Sequence, residues 1–471
     1  MKYVINNITG ISDDSRDVRE GYLFIAICGS KENGENYIDH AVKQGAKFIV
    51  LDKNSKVTAK YQGVRYIRVD NPRVYLSRVS SLFYKNQPDN IVAVTGTNGK
   101  TSVANFFHQI CYLLGYKSAS IGTLGIITSE KNCKFKDTSF LTSPTPTKLH
   151  NILRELHDNS YTHVAVEASS HGICQSRLDN VNFKAAGFTN FSQDHLDYHL
   201  TLQKYFQAKL RLFSEILEAG SYAVLNADTK EFNIIKGICE KRSIRIIEYG
   251  KEGKDLQIES TSPDSWEIKL FGRKYILQPT IQGEFQLYNI LCSVGLAIAC
   301  GLPTHSIVGV LNKVTAVKGR LELAAKYNGA DIYIDYAHTP DSLQTVLLTL
   351  RQICKGRLYV LFGCGGERDV AKREMMGDIA SKYADYIVIT DDNPRGEDPA
   401  IIRKQIMKAC PNGIEIEGRA KAIKYAMKAL KTGDILIIAG KGHENYQLIG
   451  NNKIYFSDFD EVKSVIKAII P

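Results

Sequence analysis

Hydrophobic and polar positions alternate along the chain in a pattern that predicts short buried strands followed by amphipathic helices. Residues 91–94 form an apolar, β-branched run that stops at a glycine-bracketed turn, and apolar residues at helical spacing follow from Ser102. Continuous apolar runs recur at residues 332–335, 358–362, 386–389 and 435–438. Runs of this kind suit parallel strands that are covered on both faces. The pattern therefore predicts an α/β protein.

The 471 residues are too many for one hydrophobic core, and about three domains are expected for this length. Polar stretches at residues 86–90 and 317–322 are the predicted linkers. They divide the chain into residues 1–88, 89–316 and 317–471. We expect a central parallel sheet of the P-loop ATPase type, flanked by a smaller N-terminal α/β domain and a C-terminal Rossmann-like domain.

The same pattern predicts individual elements in the first two domains. The first domain should have strands at residues 23–27, 48–51 and 66–69 and helices at residues 37–44 and 72–84. The second should have strands at residues 118–123, 163–168 and 187–191 and one amphipathic helix over residues 204–218. Residues 221–228 are expected to form the strand that closes this sheet, followed by a strand-rich and turn-rich stretch up to residue 280.

The stretch Gly96-Thr-Asn-Gly-Lys-Thr-Ser102 has the parts of a phosphate-binding loop. Its glycines let backbone N–H groups converge on phosphate oxygens, and the start of the helix adds partial positive charge. Lys100 is placed to reach the β- and γ-phosphates, and the Thr101 hydroxyl to coordinate Mg²⁺. The spacing Gly-x-x-Gly-Lys-Thr is two residues shorter than the common loop. The stretch predicts ATP binding, against the alternative of an ordinary strand–turn–helix junction that contains a lysine.

Other side chains in the middle of the chain could take part in phosphate chemistry. Glu167 ends a predicted buried strand, where ligands bind in parallel sheets, and is a candidate Mg²⁺ ligand; the alternative is a solvated strand end. His195 and His199 are four residues apart, but the glutamate of a zinc-protease motif is missing. A single imidazole that supports a Mg²⁺–phosphate site fits better. Lys209, from its sequence context alone, is interpreted as an ordinary surface lysine.

Each predicted strand of the last region ends in a polar loop. These loops cover residues 336–341, 363–369, 390–395 and 440–444. Because ligands bind at the carboxyl ends of the strands in open parallel sheets, the loops should line one crevice. The glutamate, arginine and aspartate of the second loop favour contact with an amino acid or a phosphate over a dinucleotide fold.

Composition narrows the class of protein. The net charge is +10, but the lysines are spread along the chain, whereas a nucleic-acid binder concentrates them in one stripe. Positive potential also suits an enzyme that handles anionic small molecules. The ten cysteines include no Cys-x-x-Cys pair, the start has no signal-peptide core, and the longest apolar stretch is too short to span a bilayer. We expect a cytoplasmic protein with reduced thiols that neither binds nucleic acid nor inserts into membranes.

Six motifs together resemble those of the Mur ligases, nearly from end to end of the chain. They are Thr95-Gly-Thr-Asn-Gly-Lys-Thr-Ser102, Glu167-Ala-Ser-Ser-His171, Asp194-His-Leu-Asp-Tyr-His199, Asp335-Tyr-Ala-His-Thr-Pro340, Asp392-Asn-Pro-Arg395 and Gly440-Lys-Gly-His-Glu444. The motif ending in Arg395 is the specific part, because in that family its arginine form accompanies meso-diaminopimelate rather than L-lysine. The resemblance implies the branch that adds the third peptide residue to UDP-N-acetylmuramoyl-L-alanyl-D-glutamate, in peptidoglycan precursor synthesis.

The resemblance implies an ADP-forming amide ligation with ATP and Mg²⁺. ATP phosphorylates the γ-carboxylate of the D-glutamate, the incoming amine attacks the acyl phosphate, and a tetrahedral intermediate loses phosphate to leave an amide. Metal ions and cationic side chains have to shield one anion from the other. The implied catalytic residues are Lys100, Glu167, His195 and Lys209. Lys209 matches the family lysine that is carbamylated, which turns an ammonium into an oxygen donor suited to Mg²⁺.

The resemblance implies four groups of binding residues. The group for ATP is Gly96, Thr97, Asn98, Gly99, Lys100, Thr101, Ser102, Asn289, Arg320 and His338. The group for Mg²⁺ is Thr101, Glu167, His195 and carbamylated Lys209. The group for the UDP-muramoyl-dipeptide is Ser15, Ser30, Lys31, Glu32, Thr142, Ser143, Ser169, Gln175 and Arg177. The group for meso-diaminopimelate is Arg368, Asp392, Asn393, Pro394, Arg395, Gly440 and Glu444.

Two features depart from the family pattern. Gln286 stands where the first asparagine of Gly-x-Phe-Asn-x-x-Asn is expected, and the N-terminal domain begins late, without an initial helix. The main alternative function is the L-lysine-adding ligase; ligases that add D-alanyl-D-alanine, or glutamate to folate, are others. Arg395 argues against lysine, since a cation gains nothing by facing an ammonium. A second crevice argues against a regulatory ATP-binding module, and the lack of a basic stripe against a nucleic-acid-dependent ATPase. We expect a monomer.

Overall fold

The computed structural model describes residues 1–29, 32–130 and 141–469. Within these residues the strands form sheets of four, ten and six strands and a two-stranded hairpin. Each of the three large sheets is built from one continuous part of the chain, and helices cover it. The predicted α/β architecture is confirmed. No helix in the described ranges is long and apolar enough to cross a membrane.

The first sheet is small and parallel throughout. Its strands, paired in sequence order, are β1 (Ile11–Ser12), β2 (Leu23–Ile25), β3 (Phe48–Asp52) and β4 (Arg65–Val69). Its helices are α1 (Lys2–Ile5), α2 (Ile38–Lys43), which a 3₁₀ turn at Gly34–Tyr37 precedes, and α3 (Pro72–Tyr84). The expectation that no helix starts this region was wrong. A four-residue helix that buries only Val4 gives too short a periodic signal to be read from sequence.

The second sheet has ten strands. They are β5 (Asn90–Thr95), β6 (Ser118–Gly122), β7 (Gly125–Thr128), β8 (His163–Glu167), β9 (Phe183–Phe188), β10 (Tyr222–Asn226), β11 (Arg245–Gly250), β12 (Leu256–Thr261), β13 (Trp266–Leu270) and β14 (Arg273–Leu277). Their order is β14-β13-β12-β11-β10-β9-β5-β8-β6-β7, and β7 and β13 run in the direction opposite to the other eight strands. The strand that leads into the phosphate loop, β5, therefore lies inside the sheet between β8 and β9.

Helices cover both faces of the second sheet. They are α4 (Lys100–Leu113), α5 (Pro146–Asp158), α6 (Ser170–Cys174), α7 (Leu196–His199), α8 (Leu202–Arg211), α9 (Phe232–Lys241), α10 (Glu284–Ala299) and α11 (Thr304–Leu311). The buried side chains of α4 and α10 pack on one face and those of α5 on the other. This arrangement keeps the start of α4, and with it the phosphate loop, at the carboxyl edge of the sheet.

Three predicted elements of this region differ from the structure. The strand expected at residues 187–191 is β9, which ends at Phe188 because Thr189 and Asn190 turn away to bond the phosphate loop. The predicted helix over residues 204–218 begins at Leu202 and becomes a π-helical turn at Leu212–Ile216. β10 does not close the sheet, since β11 to β14 extend it. Most of the exposed positions of β12 to β14 carry polar residues, which in the sequence resemble those of turns.

The third sheet carries the four predicted apolar strands. Its strands are β15 (Glu322–Tyr327), β16 (Ala330–Asp335), β17 (Leu358–Phe362), β18 (Tyr386–Ile389), β19 (Ile414–Glu415) and β20 (Ile435–Ala439), in the order β15-β16-β20-β17-β18-β19. Its helices are α12 (Pro340–Ile353), α13 (Ala371–Tyr383), α14 (Pro399–Met407), α15 (Arg419–Lys428) and α16 (Asp458–Ile469). The hairpin is β21 (Tyr446–Ile449) and β22 (Asn452–Tyr455). Only β15 is antiparallel to its neighbour, so the polar loops meet at one edge.

Candidate functional site

Two glycines shape the turn between β5 and α4. Gly96 and Gly99 have φ angles of +148° and +87°, which L side chains rarely adopt. A Cβ atom on Gly96 would collide with Thr189, and one on Gly99 would collide with Asn289. The Lys100 ammonium lies inside the turn and donates to the carbonyls of Gly96 at 2.8 Å and Thr97 at 2.7 Å. Burial lowers the pKa of Lys100, against the opposing charges of Glu167 and Asp194.

Glu167 is not a solvated strand end, because it is only 2% exposed. Its Oε2 accepts from the Thr101 hydroxyl at 3.0 Å and from the Thr123 hydroxyl at 3.0 Å, and its Oε1 accepts from the Thr123 N–H at 2.8 Å. Arg320 donates to the Thr101 hydroxyl oxygen at 3.0 Å. The structure therefore places a carboxylate, a hydroxyl and a guanidinium beside the phosphate loop.

Thr101 and Glu167 fit a magnesium ion. Mg²⁺ is usually bound through one or two carboxylates, with water and substrate phosphates completing its coordination. In the described part of the chain, no group of three or more His, Cys, Asp and Glu side chains could hold a metal. The ordinary ammonium form of Lys209 has no lone pair to offer a metal. A metal ion here would accordingly be completed by water or by a substrate phosphate.

Lys209 is buried, so the surface position expected from its sequence context was wrong. The residue is 1% exposed, its ammonium donates to the Gly96 carbonyl at 2.7 Å, and it lies 4.5 Å from the centre of the Tyr205 ring. Tyr205 and Lys209 are one turn apart on α8 and both face the sheet. Burial and the charge of Lys100 lower the pKa of Lys209 well below its usual value. The neutral amine that this favours is a nucleophile.

His195 begins the short helix α7 in a left-handed conformation, with φ of +53°. Its Nε2 lies 3.4 Å from Asp194 Oδ2, and its ring is 5.0 Å from the ring of His171. Burial lowers the pKa of His195 to about 3, with the Asp194 charge opposing, so the imidazole is neutral at physiological pH. His199 turns instead to the Ser170 hydroxyl at 3.0 Å. The two histidines do not act as a zinc pair in this arrangement.

A cavity of about 430 Å³ lies between the second and third sheets. Its lining includes all the predicted ATP-binding residues except Gly96, whose carbonyl accepts from both lysines behind the loop. Glu167, His195 and Lys209 also line it. From the third sheet come Arg320, whose guanidinium stacks 4.3 Å from the Tyr336 ring centre, and His338. The structure thus brings the predicted phosphate and catalytic residues together around one space.

Polar contacts beside the cavities join the second and third regions. Asn98 Nδ2 donates to Asp341 at 3.2 Å, and Arg368 pairs with Asp197 at 3.0 Å. Gln286, the departure from the family pattern, accepts from Asn289 Nδ2 at 3.1 Å and donates to the Arg320 carbonyl at 3.4 Å. Its longer side chain therefore links α10 to the segment that enters β15.

A second cavity, of about 150 Å³, lies at the carboxyl edge of the third sheet. Its lining includes six of the seven residues predicted for diaminopimelate, namely Arg368, Asp392, Asn393, Arg395, Gly440 and Glu444. Pro394 is the other, and its carbonyl lies against Gly366. The Arg395 guanidinium donates to the Gly366 carbonyl at 2.7 Å, and its backbone bonds to Leu448 and Gly450 of the hairpin. This cavity is called the amino-acid crevice below.

The residues predicted for the UDP-muramoyl-dipeptide are only partly brought together. Thr142 and Ser169 line the larger cavity, and the Ser143 hydroxyl bonds Ser169 at 3.0 Å. Arg177 donates to the Ser143 carbonyl at 2.9 Å and to Gln175 at 2.7 Å. Ser15 and Glu32, in the first region, line neither cavity, and the hydroxyl of Tyr37 donates to Glu32 at 2.7 Å. Ser30 and Lys31 lie outside the described residues.

Sequence reasoning missed several residues that the structure places at these sites. Arg73, at the start of α3, approaches Gln175 at 3.5 Å and donates to the Cys28 carbonyl at 3.2 Å, joining the first two regions. Asp194 and Tyr336 line both cavities. Lys441 is fully buried beneath the amino-acid crevice. All but Arg73 belong to motifs quoted from the sequence, but a motif does not say which of its members point inward.

Comparisons with known proteins find matches along nearly the whole chain. Three family models match consecutive parts of the chain: "Mur ligase family, catalytic domain" at residues 7–84, "Mur ligase middle domain" at residues 94–297, and "Mur ligase, glutamate ligase domain" at residues 319–442. Two similar proteins are UDP-N-acetylmuramoyl-L-alanyl-D-glutamate–2,6-diaminopimelate ligases. That of Mesorhizobium japonicum is 42% identical, and that of a Chelativorans species 43%; each match covers 98% of this chain and 95% of the relative.

Solved structures extend the likeness to three dimensions. A structure of UDP-N-acetylmuramoyl-L-alanyl-D-glutamate–2,6-diaminopimelate ligase matches with a TM-score of 0.67 and 30% identity, covering 98% of this chain and 95% of the other. The MurF ligase of Thermotoga maritima in complex with ADP matches with a TM-score of 0.64 and 18% identity over 99% of both chains, which is a likeness of fold.

Proposed function

The chain belongs to the Mur ligase family, and from this premise we propose that it is the ATP-dependent ligase for meso-2,6-diaminopimelate. It adds this amino acid to the D-glutamate of UDP-N-acetylmuramoyl-L-alanyl-D-glutamate, forming ADP, phosphate and an amide in peptidoglycan precursor synthesis. One observation carries the proposal: Asp194, His195, Tyr336 and His338 line both cavities. An amine held in the crevice therefore faces a phosphate held at the loop.

The residues of the larger cavity perform the first half of the reaction. Lys100 and Arg320 bind the phosphates of ATP, and Asn289 and His338 contact the adenosine. Thr101 and Glu167, with His195 and a modified Lys209, would hold Mg²⁺, which when bound neutralises phosphate charge. The γ-carboxylate of D-glutamate then attacks the γ-phosphorus, and ADP leaves. Positive charges must be in the site before the substrates bind, because the carboxylate and ATP are both anions and repel each other.

Lys209 is proposed to react with CO₂ to give a carbamate. The neutral amine adds to the carbon of CO₂ and releases one proton, leaving a negatively charged group with two oxygen donors. Burial of the amine next to Lys100 supports this, because only an unprotonated lysine is nucleophilic. The carbamate would also relieve the repulsion between the two lysines.

The crevice supplies the second substrate. Arg395 binds the carboxylate at the distal end of diaminopimelate, and Glu444 accepts from the ammonium there. The reactive amine attacks the acyl phosphate, and phosphate leaves. The names of relatives that are 42% and 43% identical support diaminopimelate over L-lysine, and so does the arginine at position 395. The UDP-linked substrate is assigned to Thr142, Ser143, Ser169, Gln175 and Arg177, with Ser15 and Glu32 for the uridine end.

The proposal extends to the domain boundaries, the cellular compartment and the oligomeric state. The domains are residues 1–88, 89–316 and 317–471, and the family models at residues 7–84, 94–297 and 319–442 fall inside these boundaries. The reaction takes place in the cytoplasm, where ATP is available. We propose that the enzyme works as a monomer.

The test is phosphate release from ATP in the presence of UDP-N-acetylmuramoyl-L-alanyl-D-glutamate. We expect release with meso-diaminopimelate and none with L-lysine or without an amino acid. Release with L-lysine would keep the ligase and overturn the amino-acid assignment. Failure with both amino acids would overturn the proposed function.

A further inference from the structure

Lys441 is a buried cation whose part in the reaction is not assigned above. It lies in the loop between β20 and β21, directly after Gly440, and its side chain is 0% exposed. It does not line the amino-acid crevice. A lysine is rarely buried completely unless it is paired. The role of Lys441 can therefore be inferred from its hydrogen-bond partners.

The Lys441 ammonium, Glu444 and Asn393 form a closed triangle of hydrogen bonds. Lys441 Nζ donates to Glu444 Oε2 at 3.1 Å and approaches Asn393 Oδ1 at 3.3 Å. Asn393 Nδ2 donates to the same Glu444 Oε2 at 3.0 Å. Lys441 therefore holds the two crevice residues together and orients both of them.

This triangle uses one oxygen of the Glu444 carboxylate and leaves the other. Oε2 accepts two hydrogen bonds, whereas no described residue donates to Oε1. The Glu444 side chain is 14% exposed and lines the crevice, so the unused oxygen is the one that a ligand can reach. The charge of Glu444 is also partly balanced before any ligand arrives.

We propose that Lys441 is a positioning and specificity-determining residue for the amino acid. Lys441 orients Glu444 so that only Oε1 faces the ligand. Its positive charge also weakens the attraction between Glu444 and a ligand ammonium that has no carboxylate beside it. A ligand whose end carries an ammonium and a carboxylate gains contact with Arg395 as well, whereas an end that carries only an ammonium depends on Glu444 alone. The inference rests on the proposed function, since it concerns the choice between diaminopimelate and L-lysine.

The other charged groups around the triangle do not replace Lys441. Asp392 lies against Gly440, and the buried Arg419 donates to the Ala439 carbonyl at 2.9 Å and pairs with Asp458 at 2.7 Å. The Arg395 guanidinium donates to the Gly366 carbonyl at 2.7 Å. Lys441 is thus the cation that bonds directly to Glu444 within the described ranges.

The experiment compares Lys441→Met with the exposed control Lys424→Met on α15. We measure KM for meso-diaminopimelate, ATP and the UDP-linked substrate, and kcat/KM with L-lysine. In Lys441→Met, KM for diaminopimelate should rise at least about tenfold, as expected for loss of a charged hydrogen bond. KM for ATP should stay within about twofold, and preference for diaminopimelate over lysine should fall about tenfold or more. The control should behave like the wild type.

A double variant separates positioning from stability. The double variant Lys441→Met with Glu444→Gln lacks both charges of the pair, so it should fold even where the single variant does not. Because Lys441 acts through Glu444, adding Lys441→Met to Glu444→Gln should change KM for diaminopimelate by less than about twofold from that of Glu444→Gln alone. The proposal would be overturned by wild-type selectivity in Lys441→Met, or by an equal rise of KM for all three substrates in stably folded Lys441→Met. A further rise of about tenfold in KM for diaminopimelate on adding Lys441→Met to Glu444→Gln would also overturn it. A wild-type enzyme that ligates neither amino acid would instead contradict the proposed function.

Discussion

The larger cavity and the amino-acid crevice both lie at the carboxyl edges of parallel strands, yet their buried basic side chains have different hydrogen-bond partners. At the larger cavity, Lys100 and Lys209 donate to backbone carbonyls, and burial lowers the pKa of both. Beneath the crevice, Lys441 donates to the carboxylate of Glu444, and Arg419 to that of Asp458. The first pair lacks a bonded counter-anion among the described residues, and the second has one.

This difference corresponds to the charges of the proposed ligands. Lys100 is a buried cation without a carboxylate partner, which is costly until an anion arrives and suits a site for the phosphates of ATP. The Lys209 amine beside it is favoured in its neutral form, which suits reaction with CO₂. Paired charges leave a site that is already close to balance, which suits an amino acid that carries both signs. The two cavities are thus prepared for a polyanion and for a zwitterion.

Replacing Lys100 and Lys441 by methionine tests this contrast most strongly. Lys100→Met should lower kcat by at least about a hundredfold, because a cation that stabilises transferring phosphate is lost. Without ATP, its free energy of unfolding should fall by no more than about 1 kcal/mol, because no ion pair is broken and only hydrogen bonds to the Gly96 and Thr97 carbonyls are lost. Lys441→Met breaks a buried pair and should lower the free energy of unfolding by about 3 kcal/mol or more. Chemical denaturation of both variants without ligands measures this, and equal destabilisation would remove the contrast.

Lys209→Ala should abolish ligation because the proposed carbamate is lost. It should leave the fold intact because Lys209 forms no ion pair with any described residue. Lys204→Ala, on the exposed side of the same helix α8, is the matched control. Short carboxylates added to Lys209→Ala should restore part of the activity by supplying the missing oxygen donors. Full activity of Lys209→Ala would contradict the role of this residue.

Arg395→Ala should raise KM for meso-diaminopimelate by roughly tenfold to a hundredfold, the range expected for a charged hydrogen bond to a carboxylate. KM for ATP should not change, because Arg395 lines only the crevice. Arg395→Lys should recover part of the loss as a point charge without the planar fork. Steady-state kinetics with each substrate varied in turn gives the answer, and a change in KM for ATP alone would be contrary to the assignment.

Lowering the pH should decrease the stability of the second region and increase that of the third. Burial lowers the pKa values of His108, His150 and His163 to about 4, so the unfolded chain binds protons first as the pH falls from about 6.5. Each histidine should then cost about 2 kcal/mol of stability at about pH 5. Burial raises the pKa of Asp335 to about 6, so between about pH 6 and 4 its protonation stabilises the folded form.

The variant His108→Asn tests this smallest effect, since asparagine can still bond the Ser118 hydroxyl. Denaturation at about pH 7 and about pH 5 should show a smaller loss of stability in the variant than in the wild type. An unchanged pH dependence would mean that His108 titrates normally in the folded protein.

The two cavities also differ in how far the sequence reveals them. The phosphate loop is a contiguous motif, so the glycine turn at Gly96 and the start of a helix next to Lys100 can be predicted from sequence alone. The strands Leu358–Phe362 and Tyr386–Ile389 were predicted to the residue, because continuous apolar runs mark buried parallel strands. The crevice was predicted from four separate loops only because parallel strands align their ends.

What the sequence could not reveal depends on packing between distant segments. Lys209 is buried because α8 presses Tyr205 and Lys209 against the Gly96 turn, more than a hundred residues away in the chain. Lys441 has no local signal of its pairing with Asn393, which lies on another loop. Such contacts follow from tertiary structure, and local periodicity carries no information on them.

One competition experiment tests the central claim most directly. The enzyme receives ATP, UDP-N-acetylmuramoyl-L-alanyl-D-glutamate and equal concentrations of meso-diaminopimelate and L-lysine, and mass spectrometry identifies the UDP-linked product. The account predicts a product that carries diaminopimelate, with the lysine product at no more than about one part in a hundred, as charged-group discrimination allows. A product that carries mainly lysine would contradict it.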